Sequence, residues 1–225
     1  MILIFDLDDT LYPEITYVKS GFLNVSKFLS DTHGLNSKAS YFELLKILKR
    51  QGRGQVFDSF LRNNLIYSKK NLRSCISVYR GHKPSIQLYS DAKRCIKRFR
   101  NYKKYIVTDG NVRVQRKKIH SLGLMSKFDK VIPTYQYGLS HSKPSLLCFN
   151  KIMHNENCNP SDMLYVGDNP YKDFVNLKKK GIRTVRVLRG SFKSIKLHQE
   201  YEAEFSFKNL DKLTYKFVEN LYENR

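Results

Sequence analysis

The first five residues, Met-Ile-Leu-Ile-Phe, are all apolar, and aspartates follow at positions 6, 8 and 9. A short, wholly apolar run suits a central strand of a parallel sheet, covered on both faces. Beyond it the period changes. Val18, Phe22, Val25 and Leu29 recur at helical spacing, as do Tyr41, Leu44, Leu45 and Leu48, and later Leu72, Cys75, Ile76 and Tyr79. Residues 14–80 therefore read as helical throughout, with Gln51-Gly52-Arg53-Gly54 separating the second helix from the next. From about residue 86, helical stretches alternate with short apolar runs at 105–107, 131–132, 164–166 and 184–187. Such alternation predicts a parallel sheet with helices on both faces. The opening strand belongs to that sheet. The expected fold is α/β and Rossmann-like, built from residues 1–13 and 81–225, with 14–80 inserted as a helical unit. Prolines at 13 and 84 mark the two junctions.

Composition narrows the class. The 225 residues are 41% hydrophobic, which is enough for a globular fold with a substantial core. No run approaches the length of a membrane span, and Asp6 interrupts the opening apolar run too early for a secretory signal. The four cysteines show neither CxxC pairing nor zinc spacing, which suits a reducing compartment. A soluble, cytoplasmic protein is expected. Charge is the unusual feature: 41 Lys and Arg against 20 Asp and Glu give +21. In the segment 93–100, Ala92, Cys95, Ile96 and Phe99 make an apolar stripe, with Lys93, Arg94, Lys97 and Arg98 outside it. That is the pattern of a solvated helix face, and no RNA-binding signature interleaves aromatic residues with the basic runs. Nucleic-acid binding is expected to be weak and non-specific.

The chemistry gathers where strands end. In an open parallel sheet, ligands bind beyond the carboxyl ends of the strands. The first strand runs into Asp6-Leu7-Asp8-Asp9-Thr10, and the second into Thr108-Asp109-Gly110-Asn111. The third precedes His141-Ser142-Lys143-Pro144, and the fourth runs into Gly167-Asp168-Asn169-Pro170, with Asp173 close behind. Clustered carboxylates repel, and a hard divalent cation shared between strand ends would offset that repulsion. These residues, in this order, resemble the four motifs of the haloacid dehalogenase (HAD) superfamily. The helical insertion after the first motif resembles the members that carry a helical cap there, such as phosphoglycolate phosphatases and pyrimidine nucleotidases.

That resemblance implies a magnesium-dependent phosphatase acting on a small phosphorylated metabolite. Asp6 would be the nucleophile that forms an aspartyl-phosphate, and Asp8 the general acid and base. Thr108, with the backbone at Asp109 and Gly110, would bind phosphoryl oxygens, and Lys143 would offset their charge. The metal would lie among Asp6, Asp8 through its carbonyl, Asp168 and Asp173, the last supporting either the ion or the lysine. Arg53, between two glycines of the cap, is a candidate for reading the rest of the substrate. Dehalogenases of the superfamily lack the second aspartate, so Asp8 points to a phosphatase or a phosphomutase. A third reading makes the protein a basic binder of nucleic acid or an acidic partner, with residual phosphatase activity. Taken singly, several residues have plainer uses. Thr108 can end a strand, Asp109 or Asn111 can cap a helix, Lys143 and Arg53 can be solvated, and Asp173 can favour a helix amino-terminus.

Overall fold

In the computed structural model, which describes residues 1–223, the chain separates into two compact units. One comprises Met1–Glu14 and Gln87–Arg225, the other Ile15–Ile86.

The first unit is a six-stranded sheet with every pair parallel, in the order β3-β2-β1-β4-β5-β6. The strands are β1 (Ile2–Phe5), β2 (Lys104–Thr108), β3 (Lys130–Pro133), β4 (Met163–Gly167), β5 (Arg183–Val187) and β6 (Phe205–Phe207). Helices α5 (Ser90–Arg98), α6 (Val112–Ser121), α7 (Leu147–Glu156), α8 (Val175–Lys180) and α9 (Tyr215–Glu223) belong to the same unit. β1 is central, and its residues Leu3, Ile4 and Phe5 are fully buried, as the apolar run predicts. On one face Ile2 and Ile4 join Tyr105, Val107 and Tyr165 in a core completed by Phe149 and Ile152 of α7 and Leu177 of α8. Phe5 stands level with Ile106 of β2 and Val166 of β4. The segments that follow these three strands therefore leave the sheet at the same edge, which is where the polar motifs lie. β6 extends the sheet beyond the four later strands read from the sequence. Its three residues, Phe-Ser-Phe, are too few to establish a period.

Two further buried charges brace this unit, Lys104 at the opposite edge and Asp91 beside the segments that follow β5 and β6. Lys104 opens β2 and donates to the carbonyls of Phe99, Arg100 and Tyr102 at 2.8, 3.1 and 2.7 Å, so all three of its N–H groups are used. Asp91, in the first turn of α5, accepts from Arg189 and from the Leu210 N–H at 2.7 Å. Burial pushes its carboxyl up, but the Arg189 and Leu210 hydrogen bonds outweigh burial and hold it below the usual carboxylate range.

The second unit is a helical cluster of α1 (Glu14–His33), α2 (Ser37–Gln51), α3 (Val56–Asn63) and α4 (Lys69–Gly81). The Asn36 side chain accepts from the Ala39 N–H at 2.9 Å, and Ser68 from the Asn71 N–H at 3.0 Å, so α2 and α4 both begin at a side-chain cap. α2 ends where Gly52 adopts φ +72°, a conformation that favours glycine, and returns its N–H to the Leu48 carbonyl. Val18, Phe22, Val25 and Leu29 of α1 pack with Leu44, Ile47, Phe60 and Cys75 into an apolar core. Among the described residues, no helix is long and apolar enough to cross a membrane.

Candidate active site

Asp6 follows β1 directly and continues its ladder, donating its N–H to the Val166 carbonyl at 2.8 Å. Its side chain is thereby fixed between the ends of β1 and β4. Lys143 Nζ lies 2.6 Å from Asp6 Oδ1, 2.7 Å from Asp173 Oδ1 and 2.7 Å from the Tyr165 hydroxyl. All three ammonium hydrogens thus have acceptors in a site closed to water. Burial alone would lower the lysine, but Asp173 and Asp6 outweigh it and hold its pKa well above the usual value. Asp6 itself is pushed up to about 7. Burial is the main cause, opposed by Lys143 and reinforced by Asp173.

Asp173 was expected to support either the metal or the lysine. Its Oδ1 faces Lys143, its Oδ2 accepts from the Asn169 N–H at 3.0 Å, and the side chain is fully buried. Tyr165, in the middle of β4, donates to Asp173 and completes this triangle. An isolated tyrosine in an apolar strand gives no warning of that role.

Asp168 stands in a different environment. It is 4% exposed, and the Thr10 hydroxyl at 3.4 Å is its side-chain partner. Among the described residues, no lysine or arginine pairs with it. Burial, then repulsion from Asp173, Asp6 and Asp9, push it up to about 9. Two buried carboxylates, Asp6 and Asp168, with too little positive charge between them, make a donor set that fits a hard divalent cation. Among the described residues, no group of three or more His, Cys, Asp or Glu side chains converges as a metal site. Such a cation would draw its other ligands from a backbone carbonyl, for which Asp8 is the candidate, and from water.

The Asp8 carboxylate is turned to other partners. Lys118 Nζ lies 2.7 Å from Oδ1, the Tyr12 hydroxyl donates to the same oxygen, and Gln115 Nε2 lies 2.9 Å from Oδ2. Burial would raise this carboxyl, but Lys118 and the hydrogen bonds from Tyr12 and Gln115 prevail and lower it. Gln115 also donates to Thr108 Oγ1 at 2.6 Å and to the Asp109 carbonyl at 2.8 Å. One buried amide thus touches both the first and the second motif. In the sequence, Gln115 and Lys118 lie within a basic run, Arg-Val-Gln-Arg-Lys-Lys at 113–118. Their signal was available: both share a helix face with Val114 and Ile119, and all four are buried.

Asp109 is not a cap. That role falls to Asn111, which accepts from the Val114 N–H at 3.2 Å. Asp109 accepts from Thr134 Oγ1 at 2.7 Å, the Lys143 N–H at 3.1 Å and Lys172 Nζ at 2.8 Å. Its side chain thus joins the segments after β2, β3 and β4. Gly110 has φ +129°, a region that disfavours a side chain, and it lets the chain turn from β2 into α6. Arg53 belongs to the helical unit. It lies between α2 and α3, on the wall of a cavity of about 280 Å³ shared with Val18, Phe22, Val56, Tyr79 and Arg80.

Comparison with known proteins agrees with this geometry. The family model for haloacid dehalogenase-like hydrolases matches residues 3–187, most of the chain and all four motifs. The chain belongs to this family. It is 31% identical to a glyceraldehyde 3-phosphate phosphatase of Methanocaldococcus jannaschii, over 97% of each chain. Among solved structures it is similar to the HAD-hydrolase YfnB of Bacillus subtilis, determined with bound magnesium. There the TM-score is 0.67 at 17% identity, covering 96% of this chain and 97% of that one. A 2-haloacid dehalogenase of Pseudomonas syringae gives the same TM-score at 16% identity, covering 99% and 100%. The fold thus serves both branches of the family. The sequence relatives are phosphatases, and this HAD-family chain is a phosphatase with them.

Proposed function

We propose that the protein hydrolyses a small phosphomonoester through an aspartyl-phosphate on Asp6, with magnesium held by Asp6, Asp168 and the Asp8 carbonyl. The observation that carries this reading is the contrast around Asp6. Its carboxylate is bound by a buried lysine on one side, while among the described residues Asp168 has no lysine or arginine paired with it. In the first step an Asp6 oxygen attacks phosphorus and the bond to the leaving oxygen breaks, that oxygen taking a proton from Asp8. In the second, water attacks the same phosphorus, gives a proton to Asp8 and releases phosphate from Asp6. Bound magnesium would neutralise phosphoryl charge and orient the group for in-line attack. Lys143 would offset the remaining charge, held in place by Asp173 and Tyr165. Thr108 and the turn at Gly110 would hydrogen-bond the phosphoryl oxygens.

The relatives' name makes glyceraldehyde 3-phosphate the first substrate to test, followed by other phosphorylated sugars. Purified protein with magnesium should release inorganic phosphate from at least one of them. Chelation should stop the release, and so should Asp6→Ala. An isomerised ester without free phosphate would make the protein a mutase. Undiminished hydrolysis by Asp6→Ala would overturn the assignment of the nucleophile. Arg53 is the candidate for gripping the remote end of the substrate. Arg53→Ala should raise KM and leave kcat nearly unchanged.

A further inference from the structure

We infer that Tyr12, Gln115 and Lys118 are positioning residues that fix the Asp8 carboxylate so that one oxygen, Oδ2, carries the proton. The inference rests on the reading of Asp8 as general acid and base, and it assigns three residues outside the four motifs.

A free aspartate side chain rotates about two bonds, and each wrong orientation places its proton away from the reacting oxygen. Here the orientation is set from two directions. Tyr12 approaches from the turn after β1. Gln115 and Lys118 approach from α6, where a spacing of three places them on one helix face. The bonds divide unequally. Oδ1 receives both the Lys118 ammonium, at 2.7 Å, and the Tyr12 hydroxyl, whereas among the described residues Oδ2 receives only the Gln115 amide, at 2.9 Å. A carboxylate offers about four acceptor sites, two on each oxygen. Oδ1 is therefore filled, and Oδ2 keeps one site for a proton or for the water it activates.

The cradle is rigid in its turn. Tyr12 is fully buried, Gln115 is 1% exposed, and the Lys118 ammonium lies 6.0 Å from the centre of the Tyr12 ring. Gln115 reaches further, to Thr108 Oγ1 and the Asp109 carbonyl. It therefore fixes Asp8 relative to the threonine proposed to hold the phosphoryl group. Stability gives no comparable reason for the arrangement. A buried ion pair is often no more stable than an apolar pair of the same volume, and Val114 and Ile119 already supply the apolar contacts of this face.

Tyr12→Phe tests this with the least disturbance, because it removes one hydroxyl and keeps the ring. Lys118→Met and Gln115→Leu remove the other two donors. Each is compared with wild type and Asp8→Asn on an alkyl and an aryl phosphate, because an aryl leaving group needs little protonation. Tyr12→Phe should lower kcat on the alkyl ester about tenfold and on the aryl ester far less, with KM unchanged. Combined with Asp8→Asn, it should cost nothing more, because it acts through the carboxylate already removed. Equal losses on both esters, a raised KM, or additive losses in the double variant would overturn the inference while leaving the phosphatase reading intact. An Asp8→Asn protein as active as wild type would instead remove Asp8 from the mechanism, and the inference with it.

Discussion

The two units handle charge in opposite ways. Among the described residues, every buried aspartate, lysine and arginine belongs to the sheet unit: Asp6, Asp9, Asp91, Lys104, Lys118, Lys143, Asp168, Asp173 and Arg186. The helical unit buries only Ser26, Ser40 and His82 among its polar side chains. The helical unit is held by shape and apolar area. The sheet unit also depends on pairing, because each buried charge needs a partner to offset desolvation. Asp168 is where that pairing stops short.

The contrast makes the same kind of truncation act differently in the two units. Lys143→Met should have the largest effect, because it leaves Asp6 and Asp173 facing each other without their shared cation. Breaking such a pair costs about 3–5 kcal/mol, and turnover should fall to background. Urea unfolding and phosphate release would measure the two losses, and a stable, active Lys143→Met protein would break the comparison. In the helical unit, Leu44→Ala should cost about 2–5 kcal/mol through an ordinary cavity. That loss should be the same in low and high salt, whereas a purely electrostatic loss would be altered by screening.

Asp168 sharpens the comparison from the other side. Magnesium at a hundred times its Kd should stabilise the wild type by about 2.7 kcal/mol. Asp168→Asn removes a repelled carboxylate, so the metal-free variant should melt above metal-free wild type. It should also lose both the response to magnesium and the activity. If the variant melts lower, or still responds to the ion, Asp168 is neither strained nor a ligand. The smallest effect concerns Asp91, which is paired with Arg189 and has no proposed part in the chemistry. Its carboxyl is held low in the folded protein, so its contribution is present above the unfolded carboxylate value of about 3.9 and is lost as pH falls through the folded value. The stabilities of wild type and Asp91→Asn should therefore converge below about pH 4 and separate above it. A gap that stays constant down to about pH 3 would show that the Arg189 pair contributes nothing through charge.

Legibility in the sequence followed the same division. The helices of residues 14–80 could be read because Val18, Phe22, Val25 and Leu29 obey one period, with only the small Ser26 as a polar residue on their buried face. β1 could be read at its full length, and β2 and β4 as apolar runs one residue short at each end, in β2 because the polar Lys104 and Thr108 still belong to the strand. On α5, the exposed Lys93, Arg94 and Lys97 match the solvated face expected of them, while Arg98 reaches the Leu213 carbonyl at 2.6 Å. The strand-end carboxylates were conspicuous because a structural reason for them is hard to find. Tyr12, Gln115, Lys118 and Tyr165 were not. Gln115, Lys118 and Tyr165 are single polar residues in regular segments with partners far along the chain, whereas the partner of Tyr12, Asp8, is only four residues away in the same turn. The side-chain partners of Asp109, Thr134 and Lys172, are not legible either, since no local pattern reveals them.

The centrality of β1 has a consequence for how the protein is made. Ile2 pairs with Met163 and Leu3 with Lys104, so the middle of the sheet waits for segments synthesised much later. Until they emerge from the ribosome, one of the most apolar stretches of the chain has no strand to lie beside. The helices of residues 15–86 find their contacts within their own neighbourhood and are free to assemble first. Long-range parallel pairing forms slowly and leaves sticky intermediates. In a host that translates quickly, aggregation should therefore begin from Ile2–Phe5, and slower translation or a chaperone that shields nascent apolar segments should raise the soluble yield.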